Sequence, residues 1–256
     1  MGIMQISIKA EDIFRIGHFA VTNSLFFAFI TLIVLTIVAV LVRRRLRMVP
    51  GTGQNLVEVV IEGALSMMDS VLGDRRKSEK YFPAVFTIFL FVLCSNWLGL
   101  FPGVGSFTVG SGAAAVPLFR APAADLNFTL ALALLAVTFI NVVGVIATGW
   151  KDRLGTFFNF KDPISFFTGI LELISEFAKI ISFSFRLFGN IFAGEVLLTI
   201  MAFLVPYLVP LPFFFLEIFV GFIQAFIFAM LTLVFISMAT SGHHLEASGA
   251  GESLAD

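Results

Sequence analysis

The chain has 256 residues, 59% of them hydrophobic and only 13% charged, with a formal net charge of −1. Soluble domains run nearer half apolar and a quarter charged, and the mean hydropathy of +1.01 lies far on the apolar side. The balance excludes an ordinary soluble domain, and the near-neutral charge offers nothing to a nucleic acid.

The apolar runs are long and unbroken rather than short and alternating, which predicts an all-α integral membrane protein and not a β-barrel. The single cysteine, Cys94, has no internal disulfide partner. Residues 1–21 mix Lys9, Glu11, Asp12 and Arg15 with scattered apolar positions and do not read as a signal peptide. The whole chain, 1–256, reads as one membrane domain without tandem repeats.

The first span is expected over about 22–42, uncharged and long enough for a hydrocarbon layer of ~30 Å. "RRRLR" at 43–47 follows it, and basic clusters mark the cytoplasmic side. The N-terminus is therefore expected outside. Residues 51–73 carry Leu56, Val60, Leu65, Met68 and Leu72 at roughly helical spacing, with Glu58, Glu62 and Asp69 between them. This predicts an amphipathic helix at the interface or against other helices.

The second span is expected over about 81–101, with Asn96 near its outer end. Residues 102–124, rich in Gly, Ala, Ser and Pro, read as an external loop. The third span is expected over about 125–148, and "GWKDR" at 149–153 returns the chain inside.

The fourth segment, 163–204, contains no proline after Pro163. As a single helix it would be about 63 Å long at 1.5 Å per residue. That is twice the hydrocarbon thickness and demands a tilt of roughly 60°. The alternative is two helices broken near Gly189 or Gly194. "VPYLVPLP" at 205–212 is a turn, a last apolar segment runs over about 213–240, and 241–256 reads as a flexible tail. About five membrane-embedded segments result, the last two as a steeply tilted antiparallel hairpin, with the C-terminus inside.

Charges inside the bilayer cost several kcal/mol and mark ion pathways. The first three spans carry none in their interiors. The fourth carries Glu172, Glu176, Lys179, Arg186 and Glu195, and the last carries Glu217 and Gln224. Positions 172, 176, 179, 183, 186 and 190 step by fours and threes and share one helix face. Glu195, nine residues beyond Arg186, lies on the other side. Folding the last two segments about a turn near residue 206 brings Glu195 level with Glu217, Arg186 with Gln224, and Asn190 with Gly221. Two carboxylates at one level in low dielectric are not expected to be ionised together, an arrangement suited to proton exchange. Bland readings stand beside this one. Glu172, Glu176 and Lys179 also fit an ion-pair network, Asn190 and Gln224 fit interhelical hydrogen-bond glue, and Glu195 and Glu217 fit mutual or Arg186 partners.

"RLFGN" at 186–190, "AGE" at 193–195, "QAFIFAMLTLVFISMA" at 224–239, "NWLGLFPG" at 96–103 and "DLN" at 125–127 resemble subunit a of the F-type ATP synthase. That family is the membrane stator beside a rotating c-ring, and the resemblance covers roughly residues 20–241. One departure is Ala123, where the family usually has Thr before Asp-Leu-Asn.

The resemblance implies that Arg186 faces the c-ring carboxylate, holds it ionised as it passes, and separates two aqueous half-channels. Asn190 and Gln224 would lie between them, Glu195 and Glu217 on the periplasmic half, and Glu172, Glu176 and Ser182 on the cytoplasmic half. It implies no cofactor or metal and no catalytic chemistry of the chain's own; the transported ion is open between H⁺, the preferred reading, and Na⁺. The partners would be the c-ring, the subunit b peripheral stalk, the rest of the F1F0 complex and membrane lipid, in a bacterial inner membrane. A secondary transporter would instead show inverted repeats and paired broken helices, and a purely structural subunit would not need buried charges at these depths.

Overall fold

A computed structural model describes residues 10–17, 19–101, 107–109, 116–150, 163–205 and 208–241. Two short strands, β1 (Asp12–Ile16) and β2 (Phe19–Thr22), pair antiparallel ahead of the first helix. Helices α1 (Asn23–Arg44), α2 (Thr52–Leu72) and α3 (Arg75–Gly99) follow. Strands β3 (Thr108–Val109) and β4 (Val116–Pro117) and a 3-10 turn (Pro122–Ala124) precede α4 (Leu126–Thr148). The chain then builds α5 (Pro163–Leu204) and α6 (Pro210–Ser241). Five of these helices, all but α2, are long and apolar enough to cross a membrane, and the chain is an all-α integral membrane protein.

Local chemistry fixes the helix ends. The Thr22 hydroxyl accepts from the Leu25 amide, Asp74 from the Arg76 amide, and Asp125 from the Asn127 amide, each satisfying an orphan donor of a first turn. Gly73 closes α2 in the left-handed conformation, φ 69°, which glycine adopts without a Cβ penalty. Arg75 then knots the α2–α3 corner. It donates to Glu62 at 2.7 Å, Asp69 at 3.0 Å and Glu79 at 3.2 Å. The hydrogen bond from Arg75 holds the exposed Glu62 carboxyl below its ordinary value. Hydrogen bonding with Ser78 and then with Arg75 does the same for Asp69.

The α2 segment is amphipathic over only part of its length. Leu65, Met68 and Leu72 are buried against α3 and α6, whereas Leu56 and Val60 are exposed. Outward-facing Leu, Ile, Val and Phe also cover α1 and much of α5. Lipid is the natural neighbour of such surfaces, so exposure carries no hydrophobic penalty there.

The core lies between α3, α4, α5 and α6. One cluster joins Val92, Ala133, Ala136, Phe183, Leu187, Ile191, Ala225 and Phe228. A second, toward the α2 end, joins Tyr81, Val85, Ile140, Val143, Leu233 and Ile236. Small residues let α4 and α5 approach closely: Ala133, Ala136 and Ser184 are fully buried, and Ser184 shares a 3.2 Å hydrogen bond with Thr129.

Helix α5 is one unbroken helix of 42 residues. Of the two arrangements open from sequence, the single helix is the one formed, and neither Gly189 nor Gly194 interrupts it. At about 63 Å it exceeds any bilayer's hydrocarbon thickness, so it lies steeply tilted in a membrane. It runs antiparallel to α6. Phe183 meets Phe228 edge-on at 4.7 Å, and Asn190 donates to Gln224 at 2.6 Å. The α6 helix begins at Pro210, three residues earlier than expected, because proline suits the first turn of a helix. The expected tail beyond Ser241 lies outside the described residues.

Candidate functional site

The polar residues of α5 divide into three groups along its length. Toward its start, Glu176 is buried and fully engaged. One carboxylate oxygen accepts from Lys179 at 2.7 Å and the other from Asn141 of α4 at 2.9 Å. Lys179 also lies 5.0 Å from the centre of the Phe235 ring on α6, a cation–π contact. Glu176 thus ties three helices together. Glu172 is half-buried one turn earlier.

The middle group is open. Arg186 and Asn190 are exposed on a face that also carries Phe185, Gly189 and Ala193. The Arg186 guanidinium donates to Ser182 at 3.2 Å and, among the described residues, makes no ion pair. The expected single stripe therefore turns. Ten residues at about 100° each set Arg186 roughly 80° around the helix from Glu176, so Glu176 points at α4 while Arg186 points outward. Asn190 pairs with Gln224, not with the level of Gly221, a shift of less than one turn from the expected register. Gln224 is 1% exposed, and its amide nitrogen has no hydrogen-bond partner among the described residues.

The third group lies near the α5–α6 turn. Glu195 and Glu217 line one cavity of about 200 Å³ together with Asn96, Gly99, Ala121, Ile191 and Thr199. Their expected common level is what the fold builds. Asn96 donates to the Gly221 carbonyl at 3.1 Å and Trp97 to the Ile218 carbonyl at 3.0 Å, pinning α3 to α6 beside the cavity. A second cavity, of about 260 Å³, lies on the other side of Arg186 and is lined by Ser175, Lys179, Ser182, Arg186 and Phe235. Glu172 and Glu176 are not among its walls.

Gly194 matters for a steric reason. A Cβ there would overlap the Glu217 carboxylate. Gly194→Ala is expected to push Glu217 into the cavity at a cost of about 1–3 kcal/mol, the usual range for overpacking. Proton pumping normalised to assembled complex should fall several-fold; pumping at the parent rate would mean that Glu217 does not use this seat.

Sequence reasoning missed Arg120. The 102–124 segment reads as a polar external loop, yet Arg120 is its only charged residue, which was the available signal. The residue is 7% exposed, and its Nε lies 3.8 Å from Glu195 Oε2. The loop is carried inward by the 3-10 turn, whose Ala123 is 1% exposed. Ala123 stands where Thr is usual, and a hydroxyl there would have to be buried. Asp125 accepts from the Ser24 hydroxyl at 2.6 Å and so ties this turn to α1. Two further residues, Asn96 and Asn141, act across helices, which no spacing rule reveals.

A bundle of long apolar helices, with an arginine that makes no ion pair among the described residues and two separate cavities lined in part by charged side chains, is an arrangement suited to a membrane subunit that handles ions. The family described as ATP synthase A chain matches residues 24–237. ATP synthase subunit a of Campylobacter jejuni subsp. doylei is 36% identical over 211 residues, covering 81% of this chain and 85% of that protein. The Syntrophobacter fumaroxidans ATP synthase subunit a is 34% identical over 241 residues, covering 93% and 92%. The Campylobacter fetus protein of the same name is 36% identical over 224 residues, covering 88% and 92%. The chain belongs to the ATP synthase subunit a family. It is a membrane subunit of the proton-translocating ATP synthase.

Proposed function

We propose that the open face of α5 meets a rotating ring of c subunits and that Arg186 engages the ring carboxylate as each subunit passes. The observation that carries this reading is the bare guanidinium of Arg186 on an exposed helix face, flanked by one polar cavity toward each end of α5. A cation left without an acid inside a membrane protein is costly, and a mobile carboxylate on a partner is the complement it lacks. Small residues at Gly189 and Ala193 allow that partner's backbone to come close.

The cavity of Glu195 and Glu217 serves as the outer half-channel, opening toward the periplasm. The cavity of Lys179 and Ser182 serves as the inner one, with Glu172 nearer its mouth and Glu176 fixing Lys179 in its wall. Asn190 and Gln224 sit between, and Arg186 interrupts the two, so a proton crosses only by riding the ring. Each proton releases about 2.3 kcal/mol per 100 mV, so several must pass for each ATP made elsewhere in the complex.

The basic clusters after α1 and at the start of α3 support a cytoplasmic side for those ends, in a membrane that we read as a bacterial inner membrane. The N-terminus is then periplasmic and the C-terminus cytoplasmic. Partners are the c-ring, the subunit b peripheral stalk, the rest of the F1F0 complex and lipid. ATP-driven proton pumping in inverted vesicles carrying Arg186→Ala tests the reading. Loss supports it, and retention of half or more contradicts it.

A further inference from the structure

We infer that Arg120 is a positioning residue of the outer path: its guanidinium holds the Glu195 carboxylate in place, and charge-balanced, in the cavity shared with Glu217. The inference rests on the outer-path reading of Glu195.

Arg120 is set rigidly. Its Nη2 donates to the Ala124 carbonyl at 3.3 Å, within the 3-10 turn that it precedes. Ala123 and Ala124 of that turn are 1% and 0% exposed and pack in the same core cluster as Leu187 and Ile191 of α5. Ala121 lies against α3 so closely that a Cβ on Gly99 would collide with it. The loop therefore cannot shift the guanidinium away from α5 without opening the core.

The contact with Glu195 is loose in a specific way. At 3.8 Å it is an ion pair but too long for a hydrogen bond. Among the described residues Glu195 Oε2 accepts no hydrogen bond, and the side chain is 40% exposed. Glu176, by contrast, has both oxygens bound, at 2.7 and 2.9 Å. A carboxylate bound on both oxygens is a structural tie. A carboxylate met only at ion-pair distance, in a side chain that lines a cavity, is not tied in this way and can exchange a proton there.

The charge count around the cavity points the same way. Facing Glu195 are Arg120 from the loop, Glu217 from α6 and the neutral Asn96 from α3. Without Arg120, two carboxylates would share the cavity with no cation. With it, one negative charge is balanced and a single exchangeable proton can pass between the two acids.

The test uses the complete ATP synthase reconstituted in vesicles, with pumping normalised to assembled complex, for R120Q, E195Q, R120Q/E195Q and R120K. Because Arg120 acts through Glu195, R120Q should slow pumping by about fivefold or more, within the range of coupled neighbours. The double variant should be no slower than E195Q alone. R120K should recover most of the rate, since a point charge suffices at ion-pair distance.

Parent-rate pumping by R120Q, a double loss equal to the product of the single losses, or an R120K as slow as R120Q would each overturn the role of Arg120. If R120Q does not assemble, R120K decides: a rate near the parent's supports the inference and a loss of fivefold or more overturns it. Parent-rate pumping by E195Q would overturn the outer-path reading itself. A slow E195Q beside a parent-rate R120Q would overturn only the inference about Arg120.

Discussion

Arg186→Ala is expected to reduce ATP-driven proton pumping to background. The argument is electrostatic. A guanidinium and a carboxylate about 4 Å apart interact by roughly 4 kcal/mol at an effective dielectric constant of 20. At about 1.4 kcal/mol per decade, losing that interaction lowers the rate of the step it drives by roughly three orders of magnitude. Arg186 sits on the open face of α5 with Ser182 as its hydrogen-bond partner, so no neighbouring cation is placed to take over. Lys179, the nearest basic residue on the same helix, is already bound to Glu176 at 2.7 Å. Arg186→Lys is expected to fail as well. Lysine keeps one charge but loses the planar, permanently protonated fork, and a shorter reach from the same backbone position leaves the ring carboxylate under-compensated. Assembly should survive both changes, because the side chain is exposed. Pumping at half the parent rate or more in either variant, measured in inverted vesicles, would contradict the role given to Arg186.

The second large effect is expected at the outer cavity. Glu195→Gln and Glu217→Gln each remove one titratable oxygen while keeping a polar group of the same size. Each alone should slow pumping without stopping it, because the other acid still lines the same cavity. The double variant should be slower by roughly a hundredfold or more than either single one, the low end of what positioned acid–base groups contribute. A structural pair would behave differently. Removing both acids would then lower the amount of assembled complex and leave the rate per complex untouched. Pumping per assembled complex distinguishes the two cases. A double variant that assembles and pumps at the parent rate across neutral pH would remove Glu195 and Glu217 from the path.

Much of this architecture is legible in the sequence because the membrane imposes simple rules. Uncharged runs of about 20 residues can only be spans. Thr22, Asp74 and Asp125 cap their helices through ordinary side-chain chemistry, whereas the start of α6 at Pro210 fell inside the stretch read as a turn. The hairpin register follows from counting residues either side of one turn, which is why Glu195 and Glu217 were found at one level. What escaped depends on contacts between distant segments. The β1–β2 pairing uses strands of five and four residues, too short to announce themselves. The commitment of Glu176 depends on Asn141, 35 residues away, and helical periodicity says nothing about a neighbour on another helix. Arg120 was hidden by its context, since Gly, Ala, Ser and Pro around it spell a surface loop. The drift of the polar stripe arises because steps of three and four do not return to one angle over ten residues. That drift separates Glu176, bound to α4, from the outward-facing Arg186.

The central claim is that Arg186 divides two aqueous half-channels reached from opposite sides. It is tested most directly by sided thiol labelling of the complete ATP synthase, in a background where Cys94 is replaced by Ser. Ser182→Cys probes the cavity beside Arg186 toward the start of α5, and Thr199→Cys probes the cavity of Glu195 and Glu217. A membrane-impermeant thiol reagent should modify the Ser182→Cys protein only from the cytoplasmic face and the Thr199→Cys protein only from the periplasmic face. Modification of both from the same face would contradict the division.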